Sequence, residues 1–256
     1  MGEAGADVTV TLAGVTPSSI AHWFGDAQHW RGGDGIPHRL VQHLTICGAS
    51  LLVALAVALP VGIVLGHLRK GGVIAQNLAN VGRAIPSLAI LIIAVPFLGI
   101  GARPAELALV ALAIPPLLTN TYVGMAAVDD DVRDAARGMG MTAPQMIWRA
   151  ELPLALPYIL GGLRTATFNV IATATLAAEI ASGGLGQFIS TGLEVNDSVE
   201  IVCGALLVVA LALGAELALA AVQRAAVAAP LRPQRSTRSP INPLEDPHDA
   251  TVPDAA

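Results

Sequence analysis

Charge is scarce in this sequence. Only 13% of its 256 residues are Asp, Glu, Lys or Arg, against roughly a quarter in soluble domains, and mean hydropathy is +0.65. That excludes an ordinary soluble globule and leaves a membrane protein. There is a single lysine, Lys70, and the net charge is −5. No basic patch interleaved with aromatics exists, so nucleic acid is excluded as a partner. Cysteine is limited to Cys47 and Cys203, both inside apolar runs, which reads as two small buried hydrophobes and not as a disulfide or metal pair. His22, His29, His38 and His43 share no metal-ligand spacing. Neither H-E-x-x-H nor G-x-S-x-G occurs, so the chain reads as a non-enzyme. The RGGDG at 31–35 reads as a turn in a polar loop. G-x-x-x-x-G-K-[ST] is also missing: Lys70 sits in RKGG. The chain is therefore expected to hold no cofactor, and any ATP that drives it must sit on another polypeptide. The start, MGEAGADVTV, lacks a basic segment followed by an apolar one and does not read as a cleavable signal peptide. The first apolar run is expected to target the chain to the bilayer.

Long apolar runs are what the sequence does have. A spanning helix needs about 20 mostly apolar residues, and five runs qualify: about 44–66, 84–100, 105–128, 154–178 and 199–222. The second is the least clean. Gln76, Asn77, Asn80 and Arg83 crowd its approach, and Pro86 and Pro96 interrupt it. The expectation is an all-α membrane protein with five spans in a domain over 40–225. It is preceded by an outer segment over 1–39, whose AHWFGDAQHW (21–30) reads as an aromatic anchor at the membrane interface more than as a docking surface. It is followed by a Pro-rich, polar tail over 226–256 that reads as disordered. With the N-terminus outside, the inner segments carry Arg69, Lys70, Arg133, Arg137, Arg149, Arg224, Arg232, Arg235 and Arg238, and the outer ones Arg31, Arg39 and Arg103. Nine against three favours N-out, C-in.

One polar segment, 129–153, interrupts this pattern on the inner side. Asp129–Asp131 place acids at a helix start, where the macrodipole favours them. Gly140 permits a turn. Thr142 and Gln145 form a capping-box pattern around Pro144, which suits the first turn of a helix. Leu152-Pro153 predicts the stop of that second helix. Met139, Met141 and Met146 offer adaptable apolar surface. A helical hairpin of this kind suits docking of a partner protein; the alternative is a plain connector.

The spacing resembles the coupling loop of permease subunits in binding-protein-dependent ABC importers: Glu-Ala-Ala, three residues, Gly, nine residues, Ile, one residue, Leu-Pro. Here it reads Asp134-Ala135-Ala136, Gly140, Ala150, then Leu152-Pro153. Asp134 keeps the charge on a shorter side chain, and Ala150 removes apolar area. The stretches NVGRAIPSLAIL (80–91), PPLLTNTYVGM (115–125), AARGMGMT (135–142), ELPLALPYILGGLRTA (151–166) and ATATLAAEIASGGLG (172–186) are similar to permeases for osmoprotectants such as glycine betaine, choline and carnitine. The resemblance covers about 40–222. It implies a five-span core, a second permease subunit (the same chain or a sister), two ABC ATPase subunits that bind ATP, an extracytoplasmic binding protein, and a loop that inserts into a groove on the ATPase. With aromatics at only 4%, an aromatic cage for a quaternary amine is expected in the binding protein, leaving the permease a weak, transient path.

The fourth run is unusually polar. Thr165, Asn169 and Thr173 recur every four residues and share a helix face; Arg164, Thr167 and Thr175 form a looser second row. Such residues either make helix–helix contacts or line a pathway. Arg164 lies ten residues after Leu154, about 15 Å along a helix. At that depth it needs a partner, a wet cavity or a snorkelling path. Glu179 reads as a solvated helix end or as an attractor for a cationic head group. Gly183, Gly184 and Gly186 allow a turn, structural or hinge-like. Gly62 and Gly66 form a GxxxG for close helix packing. Rival readings are an ABC permease for another small solute (an amino acid or alkyl sulfonate), an ion-coupled secondary transporter, and a membrane scaffold. The sequence has no internal repeat and no paired intramembrane acids of the secondary-transporter kind, and a scaffold leaves the polar fourth run unexplained.

Overall fold

A computed structural model describes residues 14–73, 77, 80, 87–180 and 183–228. The readings placed on Arg83, on the start of the second run and on nearly all of the tail lie outside these residues. So does the Glu179 side chain. No strand occurs among the described residues. In chain order the helices are α1 (Pro17–Gly25), α2 (Ile36–His67), α3 (Ser87–Leu98), α4 (Ala102–Ala126), α5 (Asp130–Gly138), α6 (Ala143–Met146), α7 (Leu152–Ala174), α8 (Gly186–Val195) and α9 (Ser198–Ala228). Short 3-10 segments cover Ala27–Trp30 and Thr175–Ile180.

Among the described residues, four helices are long and apolar enough to cross a membrane: α2, α4, α9 and the run from α6 through α7. The helix α2 has 32 residues, about 48 Å. It starts well before the apolar run at 44, because backbone pairing carries it into the polar IPHRLVQH stretch. The second predicted run appears as α3, with 12 residues, about 18 Å against a hydrocarbon core of about 30 Å.

Small residues set how the helices meet. The helix α2 lies on α4 where Gly62 faces Thr121 and Gly66 faces Met125; a Cβ on Gly62 would stand 2.7 Å from Thr121 Cβ. The helix α4 lies on α7 in the same way: a Cβ on Gly124 would stand 2.7 Å from Tyr158 Cβ, and one on Gly162 would stand 2.7 Å from Asn120 Cβ. With no hydrophobic drive between helices in lipid, this close van der Waals approach carries the association. The helix α9 packs against α7 and α8, with Gly204 beneath Phe188 and Ile189. Buried Ala54, Ala58, Ala113, Leu117, Ala166 and Val170 form the centre. Cys47 and Cys203 are free thiols within it.

The bundle has two unlike ends. At one, α5 and α6 form the polar hairpin beside the last turn of α2. At the other, α1 packs against α8 and α9, and the turn at 183–185 is bonded to the first turns of α2. Trp23, expected at the membrane interface, is buried instead: it stacks on His29 with centroids 4.0 Å apart and meets the edge of Phe188 at 5.5 Å. The indole gains more from a fitted aromatic pocket than from the headgroup layer. Trp30 stays half exposed. At the same end His43, fully buried, accepts the Leu185 amide on Nδ1 at 3.3 Å, so Nε2 donates to the Ile171 carbonyl at 3.2 Å.

Replacing Gly62 by Leu is expected to lower stability by about 1–3 kcal/mol through overpacking, seen as a lower unfolding temperature in detergent. Gly48→Ala, whose added methyl meets nothing within 4 Å, is expected to leave that temperature unchanged or slightly raised.

Candidate functional site

The hairpin begins with Asp129, whose side chain accepts the Asp131 amide at 3.0 Å and caps α5. The helix ends in a Schellman motif. Met141 N–H reaches the Ala136 carbonyl at 3.1 Å, and Gly140 N–H reaches that of Arg137 at 2.9 Å. Gly140 has φ +74°, in the left-handed region where a Cβ costs about 1–2 kcal/mol. The predicted capping box forms: Gln145 Oε1 accepts the Thr142 amide at 2.9 Å.

The expected stop at Leu152-Pro153 does not occur. The chain passes from α6 through one π turn, Ile147–Glu151, straight into α7. Leu152 N–H bonds the Ile147 carbonyl, five residues back. Pro153 directly follows the π turn, and the widened turn makes room for a ring that would clash with the preceding turn of a regular helix. The second helix of the hairpin is therefore rigidly continuous with a spanning helix.

The turn also aims Glu151 inward. Its side chain is 0% exposed and meets the His67 imidazole and the Arg133 guanidinium. His67 Nδ1 donates to Oε2 at 2.8 Å, and Arg133 Nε lies 3.3 Å from Oε1. These last two atoms have no other partner among the described residues. Arg133, 3% exposed, also donates to the carbonyls of His67 at 3.0 Å and Met125 at 2.7 Å. One arginine thus ties α5 to the last turns of α2 and α4, and one carboxylate ties the start of α7 to the same point. Arg69 adds an outer strap. It donates to the Val128 carbonyl at 2.7 Å and pairs with Asp130 at 2.6 Å. It does so from a left-handed conformation, φ +50°, that ends α2. The Arg69 guanidinium holds the Asp130 carboxyl below the usual range. That exposed strap is therefore present at neutral pH and is lost as pH falls through the depressed value.

Of the residues singled out by the loop pattern, Asp134, Ala135, Gly140 and Pro153 are exposed. Asp134 pairs with exposed Arg137 at 2.7 Å. Ala136 is buried under α5, and Ala150 and Leu152 are half-buried. The methionine surface is smaller than expected: Met146 is packed inside and Met141 half-buried, while Met139 is 69% exposed. Trp148, 68% exposed, supplies apolar area that the sequence reading passed over. His67, Arg69, Arg133 and Glu151 were passed over too. The available signal was Arg133 three residues before Ala136, on the apolar face of α5.

Within the bundle, α7 buries Ala155, Ile159, Gly162, Ala166 and Val170. Thr165 is on the open face, donating to the Gly161 carbonyl at 3.1 Å. Asn169 and Thr173 are half-buried beside it, and Thr167 turns into the core. Arg164 finds its partners on α9. Its Nε donates to Glu216 Oε1 at 3.1 Å, Nη2 contacts the same oxygen, and Nη1 donates to Gln223 Oε1 at 2.7 Å. Gln223 in turn donates to the Pro157 carbonyl at 2.9 Å. At the opposite end, Gly183 and Gly184 have φ +78° and +84° and are pinned to α2. Gln42 Oε1 accepts the Gly184 amide at 3.1 Å, and a Cβ on Gly183 would stand 2.6 Å from that oxygen. Gly186 lies against the Thr175 backbone. This turn is a close-fitted clasp, with Glu179 in the 3-10 segment that leads to it.

A helical bundle whose spanning helices are clamped to a polar hairpin, and which carries a polar helix row within the membrane, is the build of a membrane transport subunit. The chain belongs to the family described as the binding-protein-dependent transport system inner membrane component, whose pattern matches residues 58–228. It is similar to the choline transport system permease protein OpuBB of Bacillus subtilis, 37% identical over 192 residues, which are 75% of this chain and 88% of that one. The carnitine transport permease protein OpuCB of Listeria monocytogenes is 42% identical over 178 residues, 70% of this chain and 82% of that one. The fold matches a chain of the MetNI methionine ABC transporter in an inward facing conformation, with TM-score 0.66 at 22% identity, covering 75% of this chain and 95% of that one.

Glu151→Ala is expected to cost about 3–5 kcal/mol, because it strands a buried guanidinium. The double variant Arg133→Met/Glu151→Leu is expected to recover most of that loss, read as unfolding temperature in detergent.

Proposed function

We propose that this chain is the membrane subunit of an importer for quaternary-amine osmoprotectants: glycine betaine, choline, carnitine or close relatives. A binding protein delivers the cargo from outside, two permease subunits form the path, and ABC ATPase subunits docked on the 129–153 hairpin supply the work. The similarity to permeases named for choline and carnitine transport supports the cargo class. The hairpin end of the bundle is the cytoplasmic end, in keeping with the excess of Arg and Lys in the inner segments.

One observation carries the coupling reading: Met139 and Trp148 stand exposed on a polar hairpin that is held rigidly to three spanning helices. Exposed, anchored aromatic and methionine side chains are typical of protein interfaces. A rigid hairpin passes a push from the ATPase directly into α2, α4 and α7, and a floppy connector would dissipate it. Asp134, Ala135, Ala136, Gly140, Ala150, Leu152 and Pro153 form this coupling element. Arg164, Thr165, Asn169 and Thr173 line the path, and the Gly183, Gly184 and Gly186 turn with Glu179 gates its outer end.

Trp148→Ala is expected to weaken ATPase docking by about 2 kcal/mol or more, as an interface anchor does, measured by co-purification of the ATPase subunit with the permease. Gly140→Val is expected to abolish ATP-driven uptake while membrane insertion stays intact. Wild-type uptake in both variants would rule out the hairpin as the coupling element.

A further inference from the structure

A cavity of about 450 Å³ opens between α7 and α9, lined by Gly161, Arg164, Thr165, Phe168 and Glu216. Two opposite charges sit in its wall within the spanning region. Each side chain is about a third exposed, 32% for Arg164 and 33% for Glu216. Phe168, one turn beyond Arg164, is half exposed. Lipid is a poor neighbour for this face, since a charge at bilayer depth costs about 2.5–3.5 kcal/mol on insertion scales. An open pair beside an exposed aromatic ring and a cavity leaves room for a ligand to exchange with the pair.

We propose that this cavity is a transient cargo site for a small zwitterion bearing a carboxylate and a quaternary ammonium group. The Arg164 guanidinium, held in place by Gln223, takes the carboxylate in a charge-assisted hydrogen bond. Glu216 and the face of Phe168 take the ammonium group, by charge and by cation–π attraction. When the zwitterion enters, each side chain trades its partner for a like one, so no charge is left bare in the membrane. A plain cation satisfies Glu216 but leaves the Arg164 charge without a carboxylate, with only the Gln223 hydrogen bond, so the site favours glycine betaine over choline. This inference rests on the pathway reading above and adds to it a preference among cargoes.

The test uses the assembled permease–ATPase complex carrying Phe168→Trp as a fluorescent reporter, titrated with glycine betaine and with choline. A saturable change with glycine betaine, about tenfold weaker with choline, is expected. It is expected to vanish in a complex that also carries Arg164→Met/Glu216→Leu, an apolar pair that keeps the fold, as checked by an unchanged unfolding temperature. Three results overturn the proposal: no change with glycine betaine up to its solubility limit, equal response to choline, or a response that survives the apolar pair. ATP-driven uptake of labelled glycine betaine by the wild-type complex in vesicles is measured separately. The titration needs no transport, so failed uptake with intact titration counts against the importer reading and leaves the site standing.

Discussion

The buried contact of Glu151 with Arg133 and His67 is the constraint on which the rest of the structure depends. Three charged or polar side chains from α5, the end of α2 and the π turn converge where the hairpin meets the bundle. A carboxylate with no solvent exposure survives only if cations and hydrogen bonds satisfy it. Arg133 spends its remaining donors on the last carbonyls of α2 and α4, which a helix end leaves without intrahelical partners. The same two side chains therefore solve two problems, the buried charge and the unsatisfied helix ends. The result fixes the hairpin relative to three spanning helices.

In the proposed importer, rigidity at this junction lets a separate energy source act on the bundle. The chain belongs to a family of inner membrane components that depend on a binding protein, and the proposed ATPase partner must move helices through a contact surface. The π turn keeps α6 continuous with α7, so motion at Trp148 is motion of the helix that carries Arg164. In the membrane, the Gly62, Gly66, Gly124 and Gly162 contacts bring α2, α4 and α7 into direct backbone-level contact. At the far end, the His43 and Gln42 clasp on the Gly183–Gly184 turn ties α2 to the exit of α7. One helix, α2, thus touches the hairpin junction at one end and the glycine turn at the other.

The sequence reading and the structure part company where a side chain's partner lies far along the chain. The caps of the hairpin were legible because Thr142, Gln145 and Gly140 act on neighbours within a few residues. The Leu152-Pro153 stop does not occur because the π turn just before it makes room for the proline ring inside a continuous helix, and such a turn leaves no periodic trace. Trp23 looked like an interfacial anchor because its pocket, built from His29 and Phe188, is assembled from distant segments. Glu151 and Arg133 looked like ordinary hairpin charges for the same reason.

By itself the sequence determined that the chain is a helical membrane protein, where its apolar runs fall, that a polar hairpin interrupts them, and which transporter family it resembles. Hydropathy, helix period and local capping chemistry act over short stretches, so they are written in order along the chain. Only the tertiary structure decided that Glu151 is buried, that Arg164 is paired with Glu216 beside an open cavity, and that Trp148 faces outward while Met146 does not. Those outcomes depend on which helices meet and at what height. That is set by close glycine contacts and buried charges between segments that the sequence keeps far apart.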